Sequence, residues 1–186
     1  MTTGHITLIY GSMKSGKTSR LIAEGGKDAV FFTPSLKEYY DNYKILTSRD
    51  GSVVAGFQIP YNNPTDILTW APAARAVLCI DEAQFFTPDL LSILERLRER
   101  CVTVFLAGLD TDFRGRPFGI MPTLKAEANT TIRLYARCDV AGCNKRGAYN
   151  QRLVDGLPAP GNSPQIVLKD EAYYEVRCAA HFQRGV

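Results

Sequence analysis

Gly11-Ser12-Met13-Lys14-Ser15-Gly16-Lys17-Thr18 fits the pattern G-x-x-x-x-G-K-[ST] at every fixed position. Each of those positions has a physical reason. The loop must curl so that successive backbone N–H groups face one phosphate cluster, and glycine permits that close approach. A helix must begin where the loop ends, because its free N–H groups and its dipole favour an anion. Lys17 adds a point charge near the β- and γ-phosphates, and the Thr18 hydroxyl is placed to ligate Mg²⁺. Gly11, Ser12, Met13, Lys14, Ser15, Gly16, Lys17 and Thr18 are therefore candidate ATP-binding residues. Within the loop, Lys14 reads as a solvated neighbour rather than a second phosphate ligand.

The motif needs a strand before it and a helix after it. Ile6-Thr7-Leu8-Ile9-Tyr10 is a short apolar run rich in β-branched residues, and a helical start runs through Arg20, Leu21 and Ile22. Ala29-Val30-Phe31-Phe32 reads as the next strand, stopped by Thr33-Pro34. The polar stretch from Ser35 to Trp70 is expected to be irregular, with one short helix and a weak strand near Val53-Val54. Ala76-Val77-Leu78-Cys79-Ile80 is apolar without alternation, which suits a strand covered on both faces. Thr87-Pro88-Asp89 opens a helix with a hydroxyl N-cap, proline at the first position and an acid in the first turn. Leu90, Ile93, Leu94 and Leu97 share one face of it, and Glu95, Arg96, Arg98 and Glu99 the solvated other. Cys101 to Leu106 is a further buried strand, and Cys79 and Cys101 read as core thiols. The alternation predicts an α/β sandwich around a parallel sheet flanked by helices. Around Arg133 to Arg137 the character changes. The expected organisation is a nucleotide-binding core over 1–135 and a smaller domain over 136–186.

Asp81-Glu82 follows the buried run that ends at Ile80. Carboxylates at the C-terminal end of a parallel strand lie at the crevice where α/β folds bind ligands, on the same edge as the phosphate loop. Asp81 is the natural Mg²⁺ partner. Glu82, one step on, is free to take a proton from a substrate hydroxyl or to orient a water. Cys138-x₄-Cys143 is followed, after residues 144–177, by Cys178-x₂-His181. Two close pairs of thiolate and imidazole ligands on two segments suit a closed, structural Zn²⁺ site. Four unrelated side chains, or a disulfide, are the other readings of these residues.

The length of 186 residues fits one domain, or a main domain with an appendage. A net charge of +3, with both signs mixed along the chain, does not indicate a nucleic-acid partner. No apolar run approaches the roughly 18 residues that span a membrane, and Met1 to His5 lacks the charged region of a signal peptide. A soluble cytoplasmic protein with reduced thiols is expected, with neither nucleic acid nor membrane as partner.

With these residues in view, the chain resembles the cytosolic, zinc-containing thymidine kinase family over nearly its whole length. The resemblance rests on Gly11 to Thr18, on Asp81-Glu82-Ala83-Gln84-Phe85-Phe86, and on Ala107 to Gly119 (AGLDTDFRGRPFG). It continues through Cys143 to Tyr149 and Arg152-Leu153, and ends at Tyr174-x₃-Cys178. It implies a P-loop NTPase-like fold with a C-terminal zinc-binding lasso, and transfer of the γ-phosphate of ATP to thymidine. Glu82 would be the general base on the 5′-hydroxyl, Asp81 and Thr18 would hold Mg²⁺, and Gln84 would belong to the nucleotide-contacting stretch. Phe113 and Phe118 would line the nucleoside pocket, with Met13, Leu109 and Phe85 near it. Tyr174 and lasso backbone groups would bind the thymine edge, and Cys138, Cys143, Cys178 and His181 would bind zinc. The family is usually tetrameric and inhibited by thymidine triphosphate, so a homotetramer and that inhibitor are implied.

Several positions depart from the family pattern. The first cysteine pair is wider than the common C-x₂-C. Lys169-Asp170 aligns with a Gly-Gly pair of relatives, and Lys37 to Tyr40 occupies the place of an arginine-bearing loop. Asn150 stands where relatives often carry threonine beside the thymine methyl, and counts among the substrate-binding residues. Taken alone, Phe113, Phe118 and Tyr174 read as core or turn packing, and Arg114 and Arg116 as surface charges. Glutamate after such an aspartate also occurs in P-loop ATPases, where it polarises water. The aromatic stretch Phe113 to Phe118 fits a small aromatic substrate better. A zinc-ribbon binding module with a vestigial phosphate loop is least consistent with intact Lys17, Thr18, Asp81 and Glu82.

Overall fold

The computed structural model describes residues 4–36, 43–48, 50–71, 76–167 and 173–185. Lys37 to Tyr40 and Lys169-Asp170 lie outside them. Seven strands build the main sheet: β1 (Ile6–Gly11), β2 (Val30–Ser35), β3 (Tyr43–Thr47), β4 (Val53–Pro60), β5 (Val77–Ile80), β6 (Thr103–Leu109) and β7 (Thr130–Leu134). Their order is β3-β4-β2-β5-β6-β1-β7, parallel throughout except for β3, which runs antiparallel to β4 at one edge.

Side chains alternate between the two faces. Ile9, Phe31, Cys79 and Ala107 pack on one side with Leu21 of α1 (Lys17–Gly25). Leu8, Phe32, Ile80 and Leu106 pack on the other. There they meet Ile67 of α2 (Asp66–Trp70), the apolar face of α3 (Asp89–Glu99), and Met121 and Leu124 of α4 (Met121–Glu127). Leu90, Ile93, Leu94 and Leu97 of α3 are all buried, as their helical spacing predicts. The core strands are apolar on both faces because helices cover both faces.

The structure corrects several expectations. Between Ser35 and Trp70 the described residues hold the expected short helix and the expected strand at Val53, but that strand, β4, runs on to Pro60 and pairs antiparallel with a further strand, β3, with Ile45 opposite Ala55 and Thr47 opposite Val53. β2 does not stop at Thr33-Pro34 but runs to Ser35, because past Phe32 it has β4 alone as a neighbour and the proline removes no bond to β5. Cys101 is not a core strand residue. It sits at φ 60° in the turn after α3, partly exposed, and β6 begins at Thr103. The Thr87 hydroxyl donates to the Asp89 carboxylate at 3.0 Å instead of capping a backbone N–H. Helix α4 and strand β7 are additional elements.

After β7 the chain leaves the main sheet. β8 (Ala136–Arg137) pairs with β9 (Arg146–Gly147), and β10 (Tyr149–Val154) lies between β11 (Leu157–Pro158) and β12 (Tyr173–Arg177). Among the described residues, no helix is long and apolar enough to cross a membrane.

Candidate functional site

The carboxyl ends of β1, β5 and β6 open on one edge of the sheet, so the three loops that follow them meet. β6 lies between β1 and β5, yet the Thr18 hydroxyl at the start of α1 reaches across to donate to Asp81 Oδ2 at 2.8 Å. Two oxygen ligands of one Mg²⁺, with bonds of 2.0–2.1 Å at right angles, would stand roughly 3 Å apart, so this pair fits the ion. Burial and the neighbouring Glu82 charge push the Asp81 carboxyl up to about 6, against the Thr18 hydroxyl, the Glu82 N–H and Lys17. A buried acid so destabilised as an anion gains from a cation. Lys17 is buried beside it and donates from Nζ to the Ser12 carbonyl at 2.7 Å.

Glu82 adopts the left-handed conformation, φ 53° and ψ 39°, which disfavours a side chain with a Cβ. Its N–H donates to Asp81 Oδ1 at 2.9 Å, and its Oε2 accepts from Gln84 Nε2 at 2.6 Å. Gln84 is buried, and its Oε1 accepts the Leu109 N–H at 3.0 Å. Phe85 follows it and meets Phe118 edge-on, with ring centroids 5.4 Å apart. Gln84, Phe85, Leu109 and Phe118 thus form one group beside the acid pair.

Phe113 and Tyr174 belong to a second group, organised by Arg152. This guanidinium is 2 % exposed although it has no carboxylate partner among the described residues. Its Nε donates to the Tyr174 hydroxyl at 2.7 Å, and its other two nitrogens donate to the Pro164 and Gln165 carbonyls at 2.6 Å each. It lies 3.9 Å from the centroid of the Phe113 ring. Arg114 is not a simple surface charge. It donates to the Gly161 carbonyl at 2.7 Å and to the Ser163 carbonyl, and pairs with the buried Asp112 at 3.2 Å. Gln165 also binds Asp112, at 3.1 Å. Two arginines and Asp112 therefore fasten residues 161–165 to the loop after β6. Arg116 is exposed, as expected.

A third set ties the phosphate loop to the cysteine-bearing segment. Ser12 Oγ donates to the Gly147 carbonyl at 2.9 Å, the Met13 N–H to Asn150 Oδ1 at 2.7 Å, and Lys14 Nζ to Asp139 Oδ2 at 2.5 Å. Lys14 is thus ion-paired rather than simply solvated. Asn150 is 2 % exposed, and its Nδ2 donates to the Thr111 carbonyl at 3.1 Å. Its amide therefore bridges the phosphate loop and the loop after β6, with both ends engaged by backbone.

Cys138, Cys143, Cys178 and His181 converge, with their ligand atoms within 4.8 Å of one another. The Cys138 Sγ to His181 Nδ1 distance is 3.5 Å, Cys178 Sγ to the same nitrogen 3.4 Å, and Cys143 Sγ to Cys178 Sγ 3.9 Å. Tetrahedral zinc with bonds of 2.0–2.3 Å would space its ligands roughly 3.5–3.8 Å apart, so the set fits that ion. None of the three cysteines forms a disulfide. Burial opposes ionisation of Cys138 and Cys178. Backbone N–H groups and the neighbouring ligands outweigh it and draw both thiols below their ordinary range, towards the form a metal takes.

The sequence did not single out Asp139 or Gln165, and Asp112 and Arg152 stood there only within quoted motifs. One signal was there: Arg152-Leu153 is among the stretches on which the family resemblance rests.

A family model described as thymidine kinase matches residues 4–182. A protein named thymidine kinase from Coprothermobacter proteolyticus is 38 % identical over 186 aligned residues, covering 97 % of this chain and 91 % of its own. Another of that name, from Onion yellows phytoplasma, is 33 % identical over 184 residues, covering 96 % of this chain and 86 % of its own. With the phosphate loop, the acid pair and the terminal cysteine set on one scaffold, and relatives of matching length, this chain belongs to the thymidine kinase family.

Proposed function

We infer that this chain transfers the γ-phosphoryl group of ATP to the 5′-hydroxyl of thymidine, giving thymidine monophosphate and ADP for nucleotide salvage. The observation that carries this reading is the 2.8 Å contact between Thr18 and Asp81, which joins the phosphate loop and the acid pair into one site in a chain matched to thymidine kinase from 4 to 182. Backbone groups of residues 11–18 and Lys17 hold the phosphates. Thr18 and Asp81 would hold Mg²⁺, which offsets charge on the β- and γ-phosphate oxygens. Glu82 accepts the proton of the 5′-hydroxyl as that oxygen bonds to the γ-phosphorus. The bond from phosphorus to the β,γ-bridging oxygen breaks, and ADP leaves with its electron pair.

The nucleoside lies against Met13, Phe85, Leu109, Phe113 and Phe118, with Tyr174 at the base edge. Asn150 supports this wall through Met13 and Thr111. Residues 1–135 form the nucleotide-binding core and 136–186 a lasso that zinc staples over the base, a reading supported by the ligand spacing. A homotetramer, feedback inhibition by thymidine triphosphate and a cytoplasmic location complete the proposal. The reduced cysteines agree with that compartment.

The test is ATP-dependent phosphate transfer to thymidine, deoxyuridine, deoxycytidine and purine deoxynucleosides, with a control lacking nucleoside. Thymidine monophosphate with a quiet control is the expected result. Equal ATP hydrolysis in every lane with no nucleoside monophosphate would assign an ATPase instead. The deoxyuridine lane reads thymine-to-uracil selectivity.

A further inference from the structure

The acid pair is followed by a glutamine whose side chain is fixed at both ends. The Leu109 N–H can only donate, so the amide atom 3.0 Å from it is the oxygen, Oε1. The nitrogen must then face Glu82, and it lies 2.6 Å from Oε2. Close packing prevents the amide from turning away. Gly108 backs it so closely that a Cβ added there would stand 2.8 Å from Gln84 Oε1 and 2.8 Å from Met121 Sδ. Gln84 is 2 % exposed. Glu82 is the less settled partner: its backbone is left-handed, and among the described residues its Oε1 has no hydrogen-bond partner.

We propose that Gln84 is a positioning residue that holds Glu82 by Oε2, so that Oε1 alone is presented to the substrate hydroxyl. This rests on the reading of Glu82 as general base. A carboxylate on a free side chain samples several rotamers, and base catalysis needs one oxygen within hydrogen-bond reach of the proton. A donor anchored to the backbone of the neighbouring β6 loop removes that freedom before substrate arrives. The same anchor links the base to Leu109, at the start of the loop that carries Phe113 and Phe118. The position of the base is thereby tied to the nucleoside wall.

The experiment measures steady-state phosphoryl transfer to thymidine, and binding of a non-hydrolysable ATP analogue, in the full chain and four variants. Gln84→Met removes both hydrogen bonds at similar volume. Gln84→Glu keeps an acceptor for the Leu109 N–H and replaces the amide donor by a second carboxyl, which repels the Glu82 carboxylate or ties it up in a shared proton. Both should lower kcat by about 10- to 100-fold, the scale of a displaced reacting group. For Gln84→Glu, which keeps the bond to the Leu109 N–H at the nucleoside wall, analogue binding and the KM for thymidine should stay within about threefold. Glu82→Gln should lose about 100-fold or more, and the double variant Glu82→Gln/Gln84→Met should lose little beyond it, because Gln84 acts only through Glu82. Gln84→Glu turnover within twofold of the parent overturns the proposal. So does a Gln84→Met penalty that is repeated in full on the Glu82→Gln background. Near-normal turnover of Glu82→Gln overturns the base reading itself, whereas an inactive Glu82→Gln beside an unaffected Gln84→Glu overturns only the role of Gln84.

Discussion

Replacing Asn150 by leucine, a side chain of similar size, deletes two hydrogen bonds at once. The Met13 N–H loses its acceptor at 2.7 Å and the Thr111 carbonyl its donor at 3.1 Å. Asn150 is 2 % exposed, so water cannot readily take its place. An orphaned buried polar group costs about 1–3 kcal/mol. Burying leucine in place of an amide returns about 1 kcal/mol of that. With two groups orphaned, the folded state should lose about 1–5 kcal/mol, measured by urea unfolding with zinc present. The loss has a local signature as well. If about 2 kcal/mol falls on the phosphate-loop end, the Met13 amide should exchange with deuterium about 30-fold faster. Weaker ATP binding should follow, since the loop is then less well formed before the nucleotide arrives. A loss below about 1 kcal/mol with unchanged exchange at Met13 would refute the view that Asn150 braces the phosphate loop.

Metal analysis of protein purified without chelator should find about one zinc per chain, and Cys178→Ser should abolish it; absence of zinc from the parent sinks the closed site. Arg152→Lys cannot reproduce three hydrogen bonds in a plane, so residues 161–165 should become sites of rapid cleavage by a non-specific protease, and an unchanged cleavage pattern would remove Arg152 from the fastening. Burial, with the charges of Asp81 and Glu24, pushes the Cys79 thiol up to about 12. Iodoacetamide at pH 8 should therefore leave Cys79 unmodified in the folded chain and alkylate it after denaturation. Because that value is raised in the fold, the stability it contributes is complete below the ordinary value of 9.0 and declines as pH rises from there towards 12. Measured unfolding free energy should fall across that window, and a Cys79→Ala variant should show a shallower decline.

The chemistry was legible where function imposes a fixed spacing. The phosphate loop, Asp81-Glu82 and the cysteine pairs are short motifs, and a strand covered on both faces, such as β5, announces itself as an unbroken apolar run. β3, and β4 beyond its start at Val53-Val54, were not legible, because β3 is the edge strand and β4 lies next to it. Ile45 and Val53 are exposed there, at 69 % and 58 %, so no clean alternation marks them. α4 is seven residues long with a proline in its first turn, and β7 is mostly exposed, so neither has a strong period. The roles of Lys14, Arg114 and Arg152 depend on partners 125, 47–49 and 12–22 residues away. No local pattern can name a partner at that range. Asn150 was legible as a departure from the family, but its engagement with Met13 and Thr111 required the fold.

The three bonds that tie the phosphate loop to the later segment bear on how the protein is made. Gly147, Asn150 and Asp139 lie 135, 137 and 125 residues beyond their partners. The strand ahead of the loop takes its two neighbours from β6 and β7, also distant in sequence. During synthesis, residues 11–18 would leave the ribosome early but could not be seated until the stretch around 139–150 followed. At roughly 5–20 residues per second, that leaves several seconds in which an apolar strand waits unpaired. Such long-range closure is slow in refolding too. A nascent chain of this kind is a natural client for chaperones, and its capacity to bind nucleotide should emerge late and abruptly during translation.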